Sequence, residues 1–183
     1  RALAMQIDGE TQQALSDLRA DIKRAHKDSG LYLTRLLAAM SFVRLLNADL
    51  EFAYESARQN IAVAIRANLP YAGMWGKLVC GIASFSRGRF RQASEFFGYC
   101  TDRAYSLEFR AAGDAYAGAA LSHQFSGDAA SATNALSDAL AYAEKVRIPE
   151  VLAVVASNRA RLQLLQGDVS AALRWARAAS ADF

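Results

Sequence analysis

Apolar residues along the chain recur at intervals of three and four. In 49–67 the stripe is Leu50, Ala53, Ala57 and Ile61, and in 90–106 it is Phe90, Ala93, Phe97, Cys100 and Ala104. That spacing brings one side of a helix to a core. No stretch alternates apolar and polar positions with β-branched enrichment, so no sheet is expected. The pattern predicts helices over 10–28, 31–46, 49–67, 70–86, 90–106, 109–125, 129–145, 149–165 and 169–180, with 1–8 the tail of a preceding helix.

The helices fall into a repeat. Gly9, Gly88, Gly127 and Gly167 mark four turns, and Ala48 of "LNADLEFA" fills the missing place; the successive spacings are 39, 40, 39 and 40. Five residues after each turn position stands an alanine: Ala14, Ala53, Ala93, Ala132 and Ala172. Seven before it stands a small residue: Ser41, Gly81, Ala120 and Ala160. Three registers in step define a unit of two antiparallel helices.

Each register has a physical reason. A glycine ends the first helix in a left-handed conformation that a side chain makes costly. The aspartate after it (Asp49, Asp128, Asp168) is placed to cap the second helix by accepting an unpaired N–H. The small residues face each other across the hairpin, where a larger side chain would hold the helices apart. Pro70 and Pro149 each lie 18 residues before a turn glycine, at a first-turn position where a missing N–H costs nothing. One such pair cannot bury its apolar face alone, so neighbouring pairs are expected to stack into one right-handed α-solenoid over 1–183, with repeats at about 1–29, 30–68, 69–108, 109–148 and 149–183.

Composition agrees with an all-α chain. Of 183 residues, 53% are hydrophobic, while only two prolines and eleven glycines interrupt the backbone. The net charge of +3 comes from interspersed signs, which argues against nucleic acid as a partner of this chain. The densest basic spot, "RGRFR" (Arg87, Arg89, Arg91), reads as a solvated turn rather than a phosphate contact. No run reaches the roughly 20 apolar residues that span a bilayer, and no secretory leader is visible, so a cytoplasmic location without membrane contact is expected. Arg1 opens the chain, and Met5 already lies inside a helical pattern, which suggests a piece cut from a longer polypeptide.

The small residue, the turn glycine and the alanine five later resemble the tetratricopeptide repeat over nearly the whole chain. Two features depart from that family: the period is near 40 rather than 34, and its usual aromatics are replaced, for example by His123 and Gln163. The ending "QGDVSAALRWAR", through Gly167, Asp168, Ala172, Leu173 and Trp175, is similar to the sensor region of the MalT-like large ATP-binding LuxR-type transcription regulators. That resemblance implies a superhelical domain between an ATPase module and a helix-turn-helix, taking up an inducer or partner. Neither flanking module is visible: the chain has no G-x-x-x-x-G-K-[ST] loop and no basic recognition helix.

Chemistry is sparse. His26 sits near a helix C-terminus, where a cation suits the dipole. His123 has no cysteine or carboxylate four residues away to make a metal pair. Cys80 and Cys100 flank the turn at Gly88 almost symmetrically; a redox pair is conceivable, but two buried thiols filling space are the simpler reading. "AAGDAYAGAALS" lacks the lysine and the strand of a phosphate cradle, and no Ser-His-Asp signature occurs. No enzymatic role, cofactor or metal is expected.

What remains is the inner surface. In tetratricopeptide-like superhelices the first helices line it, 13, 10, 6 and 3 residues before the turn. Those offsets select Arg35, Ala38, Phe42 and Leu45; Trp75, Leu78, Ile82 and Phe85; Asp114, Ala117, Leu121 and Gln124; then Val154, Ser157, Arg161 and Leu164. The binding candidates are Arg35, Phe42, Trp75, Ile82, Asp114, Leu121 and Arg161. Such a lining suits a small inducer or an amphipathic peptide better than nucleic acid. The alternative is that these apolar residues only pack between repeats. Two functions fit: the effector-sensing or partner-binding domain of a LuxR-type regulator, or a general protein–protein interaction scaffold. Exposed end faces would also favour self-association.

Overall fold

Every expected turn closes in the same way. In the computed structural model, which describes residues 2–25 and 30–181, Gly9, Gly88, Gly127 and Gly167 take φ of 84°, 72°, 83° and 89°, and Ala48 takes 57°. At each turn the residue's own N–H donates to the carbonyl three before it, and the next N–H donates to the carbonyl five before. At Gly88 these bonds are Gly88 to Phe85 and Arg89 to Ser84, both 2.9 Å. At Ala48 they are Ala48 to Leu45 at 3.0 Å and Asp49 to Arg44 at 2.9 Å. This pair of bonds satisfies two of the carbonyls a helix end leaves open. A Cβ built on any of the four turn glycines meets nothing within 4 Å, so glycine is there for its backbone angle and not for space.

Between the turns run the helices α1 (Ala2–Ile7), α2 (Thr11–Ala25), α3 (Gly30–Leu46), α4 (Leu50–Arg66), α5 (Met74–Ser86), α6 (Phe90–Thr101), α7 (Phe109–Phe125), α8 (Ala129–Val146), α9 (Pro149–Leu165) and α10 (Val169–Ala181). No strand occurs among the described residues. Two stretches expected to be α-helical tighten instead into 3-10 turns, Pro70–Gly73 and Ala104–Ser106. At the first, Gly73 is buried, and a Cβ on it would lie 3.1 Å from the Ala64 Cβ. At the second, α6 stops at Thr101, whose hydroxyl donates back to the Gly98 carbonyl at 3.0 Å.

The ends of two second helices hold a signal that the repeat pattern did not show. Asn68 and Arg147 also take the left-handed conformation, at φ 52° and 53°. Each stands two residues before a proline, Pro70 or Pro149. The residue preceding proline is driven to extended angles, so the chain reverses one step earlier.

Contacts gather the helices into two compact units, residues 1–89 and 90–183. Within the first, α2 packs on α3, α3 on α4 and α4 on α5. One core there joins Ala14, Leu15 and Leu18 to Leu36, Met40 and Val43, and a second joins Leu33, Leu37 and Val63. Within the second unit, α7 packs on α6, α8 and α9, and α10 closes on α9. Its core gathers Ala139, Ala143, Val151 and Val155, with Tyr116 and Tyr142 beside them.

The small-residue registers lie inside these contacts. Ala14, Ala53, Ala93 and Ala132 are fully buried, and Ser41, Gly81, Ala120 and Ala160 are buried. Ser41 tolerates burial because its hydroxyl donates to the Ala38 carbonyl at 2.7 Å. Ala172 is only half-buried. A close approach also occurs at Gly76 on α5, where an added Cβ would come within 2.5 Å of Asn60 Oδ1 and 2.7 Å of the Ala57 carbonyl oxygen.

Two expectations about charged groups are corrected. Asp128 accepts from the Ser131 N–H at 2.9 Å and Asp168 from the Ala171 N–H at 3.0 Å, but Asp49 makes no side-chain cap bond. Asp49 instead stands where its charge acts on Arg44. In "RGRFR", Arg89 and Arg91 are exposed, whereas Arg87 is drawn against α4 and pairs with Glu51 on that helix's first turn. Arg87 is therefore packed rather than solvated. Cys80 and Cys100 are both buried and free of disulfides. His123 lies in the last turn of α7, and His26 lies outside the described residues.

Candidate functional site

The seven candidate residues lie on first helices of the pairs, four in the first unit and three in the second. In the first unit, α3 presents Arg35 and Phe42, and α5 presents Trp75 and Ile82. The Phe42 and Trp75 rings meet edge to face, with centroids 5.2 Å apart at 71°. Both rings are half-buried, and so is Ile82. Arg35 is exposed two turns before Phe42 on the same helix. In the second unit, Asp114 on α7 is half-buried; burial raises its carboxyl above the ordinary range, Arg110 opposes the shift and Glu108 adds to it. Leu121, two turns on, is 5% exposed and belongs to the core rather than the surface. Arg161 stands exposed on α9. The structure thus joins Phe42 to Trp75, while Asp114 and Leu121 share α7 and Arg161 stands on α9.

Two clefts lie elsewhere, and the sequence reasoning missed both. In the first unit a cleft of about 300 Å³ is bounded by α2 (Arg19, Ile22, Lys23) and α4 (Phe52, Glu55, Ser56, Gln59), with Leu37, Met40 and Arg44 of α3 as its floor. In the second unit a cleft of about 350 Å³ lies between Thr101 and Asp102 on one side and Asp138, Ala141, Tyr142 and Lys145 on the other, with Tyr116 below. The two are repeat equivalents. Ile22 and Thr101 stand 13 residues after their turn positions, Lys23 and Asp102 stand 14 after, Gln59 and Asp138 stand 11 after, and Leu37 and Tyr116 stand 11 before. Stacked helix pairs therefore open a groove between successive second helices, and side chains then decide its character. That register was the available signal.

The two grooves differ in sign. Arg19, Lys23 and Arg44 outnumber Glu55 in the first, while Asp102 and Asp138 outnumber Lys145 in the second. The second holds a tyrosine pair, ring centroids 5.0 Å apart. Tyr116 donates its hydroxyl to the Thr101 carbonyl at 3.4 Å and Tyr142 to the Phe109 carbonyl at 3.5 Å. Burial first, then Asp138 and Asp102, raises the Tyr116 hydroxyl above its ordinary pKa. Such phenols stay protonated and donate hydrogen bonds; they supply no base. Among the described residues no group of three or more His, Cys, Asp or Glu is placed to hold a metal ion. Among those residues, too, no helix is long and apolar enough to cross a membrane.

No family model matches the chain, and no curated protein matches it. Solved structures do. One is a Podosopora anserina protein described as a kinesin light chain with nearly identical TPR-like repeats; it superposes at a TM-score of 0.77 with 19% identity, covering 99% of this chain and 92% of that one. A single-substitution variant of it reaches 0.79 at 18% identity, covering 98% and 90%. At that identity the likeness is one of fold, and it fixes the class: this chain is an all-α solenoid of tetratricopeptide-like helix pairs.

Proposed function

We propose that the chain is a protein–protein interaction scaffold that receives a peptide segment along α3 and α5, the first helices of two successive pairs. The observation that carries this reading is the Phe42–Trp75 pair. Two aromatic rings from neighbouring helices stay half-buried where the core would have taken aliphatic residues, and aromatic surface of this kind anchors partner side chains. Arg35 and Ile82 extend the same face, supplying a charge and an apolar contact. The tetratricopeptide-like solenoid fold of the similar structures supports a binding role.

A display library of twelve-residue peptides selected on the full chain tests this reading. Selected peptides are expected to bind Trp75→Ala at least about tenfold more weakly, with the helical circular dichroism spectrum unchanged. Selection of peptides that bind both proteins alike would overturn the assignment of this face.

A second reading is an effector-sensing domain of a cytoplasmic LuxR-type transcription regulator. It rests on the phrase from Gly167 to Trp175, and its test is the encoding gene: a phosphate loop upstream and a helix-turn-helix downstream support it, and the lack of both refutes it.

A further inference from the structure

We propose that the groove between α2 and α4 is a binding site for a small organic anion, one carboxylate, sulfonate or phosphate joined to an apolar body. This goes beyond the scaffold reading and concerns a different surface, so either can fail without the other.

The repeat geometry explains why a groove exists, and the equivalent cleft between Asp102 and Asp138 shows that geometry alone does not set its charge. The first groove gathers three cations from two helices: Arg19 and Lys23 one turn apart on α2, and Arg44 from α3. Its one lining carboxylate, Glu55, is exposed at the rim, and Asp49 acts on Arg44 from the adjoining turn. Arg44 carries the most information. Its guanidinium lies 4.8 Å over the Phe52 ring in a cation–π contact. Its Nε is buried, yet has no hydrogen-bond acceptor. With Arg19 and Lys23 beside it, this guanidinium leaves the groove lined by more positive than negative charge, which an incoming anion offsets. Burial lowers the Arg44 pKa, but an arginine remains charged at neutral pH.

The rest of the lining accounts for the apolar body. Leu37 and Met40 form a buried floor, Ile22 is half-buried, and the Phe52 ring is 56% exposed at the edge. Ser56 and Gln59 add hydrogen-bonding groups along α4. The volume of about 300 Å³ sits at the small end of the range for small-molecule sites, roughly 300–1,000 Å³, and is too small to take a helix.

The probe is 8-anilinonaphthalene-1-sulfonate, an aromatic body with one sulfonate, titrated into the full chain by fluorescence. Its uncharged analogue N-phenyl-1-naphthylamine serves as control. The sulfonate is expected to bind saturably and to weaken with added salt. Arg44→Gln should weaken it by at least about tenfold and Lys23→Gln by several-fold, while Lys145→Gln, in the other groove, leaves it unchanged. The uncharged analogue should bind all four proteins alike. Circular dichroism checks each fold, and if Arg44→Gln is misfolded the rim variant Lys23→Gln carries the decision. Sulfonate affinity that is equal in wild type and both cation variants, an absence of saturable binding, or parallel losses of both probes would each overturn the site.

Discussion

Replacing Gly76 by alanine tests how tightly α5 approaches α4. An alanine in mid-helix ordinarily gains about 1 kcal/mol over glycine. Here the new Cβ would stand 2.5 Å from Asn60 Oδ1, 2.7 Å from the Ala57 carbonyl oxygen and 2.9 Å from Ile61 Cγ1. The Ile61 side chain can turn aside. The Ala57 carbonyl belongs to the α4 backbone and cannot move without the helix. Asn60 is also fixed: it is fully buried, and its Nδ2 donates to the Thr34 carbonyl at 2.7 Å. Overpacking against such neighbours costs typically 1–3 kcal/mol and more when backbone must shift, so Gly76→Ala should be destabilising by about 1–2 kcal/mol net of propensity. Gly98→Ala on α6 is the control, since its Cβ meets nothing within 4 Å and propensity acts alone, giving a gain of about 0.5–1 kcal/mol. Urea denaturation followed by helical circular dichroism and by tryptophan fluorescence, with Trp75 adjoining Gly76, separates the two. For a chain of this size 1 kcal/mol moves the melting temperature by about 2–4 °C. If both alanines stabilise equally, the close approach of α4 and α5 is wrong.

Three further outcomes follow from the same geometry. Ala48→Gly should stabilise by about 0.5–1 kcal/mol in thermal melts, because Ala48 holds φ 57° where glycine is at ease. Asp128, whose carboxyl is lowered by its hydrogen bonds to Ser131, contributes stability above its unfolded pKa that disappears as pH falls through the lower folded value; the gap in urea midpoint between wild type and Asp128→Ala should therefore close in acid. Asp114 has the opposite sign. Burial raises its folded pKa, so ionisation costs stability as pH rises through that value; Asp114→Asn should be the more stable protein at neutral pH, and its advantage should fade below the unfolded carboxylate range.

The repeat was legible because it is written in residues with few substitutes. A left-handed turn calls for glycine, and a close hairpin calls for alanine, serine or glycine, so Gly88 and Ala93 identify themselves without coordinates. The same logic placed Ala48 correctly, since its neighbours kept the spacing even though the turn residue itself had changed. Legibility faded where many residues satisfy one requirement. Asn68 and Arg147 both take left-handed angles, yet neither type announces it. Asp49 matched a cap position but makes no cap bond, because position alone does not orient a carboxylate. The first-helix face was readable as a register, but whether a residue there is surface or core depends on its neighbours: Leu121 is buried while Trp75 is half-exposed. The grooves needed tertiary structure, since Lys23, Leu37, Arg44 and Gln59 come from three helices and no local pattern joins them.

The closest test of the central idea is the denaturation midpoint of Ala132→Leu beside that of Ala172→Leu. Both stand five residues after a turn glycine, but Ala132 is fully buried in the α7–α8 hairpin and Ala172 is half-open on α10. The account predicts a loss of about 1–3 kcal/mol at Ala132 and little change at Ala172. Equal, small effects at the two positions would contradict the claim that tiny side chains hold each helix pair together.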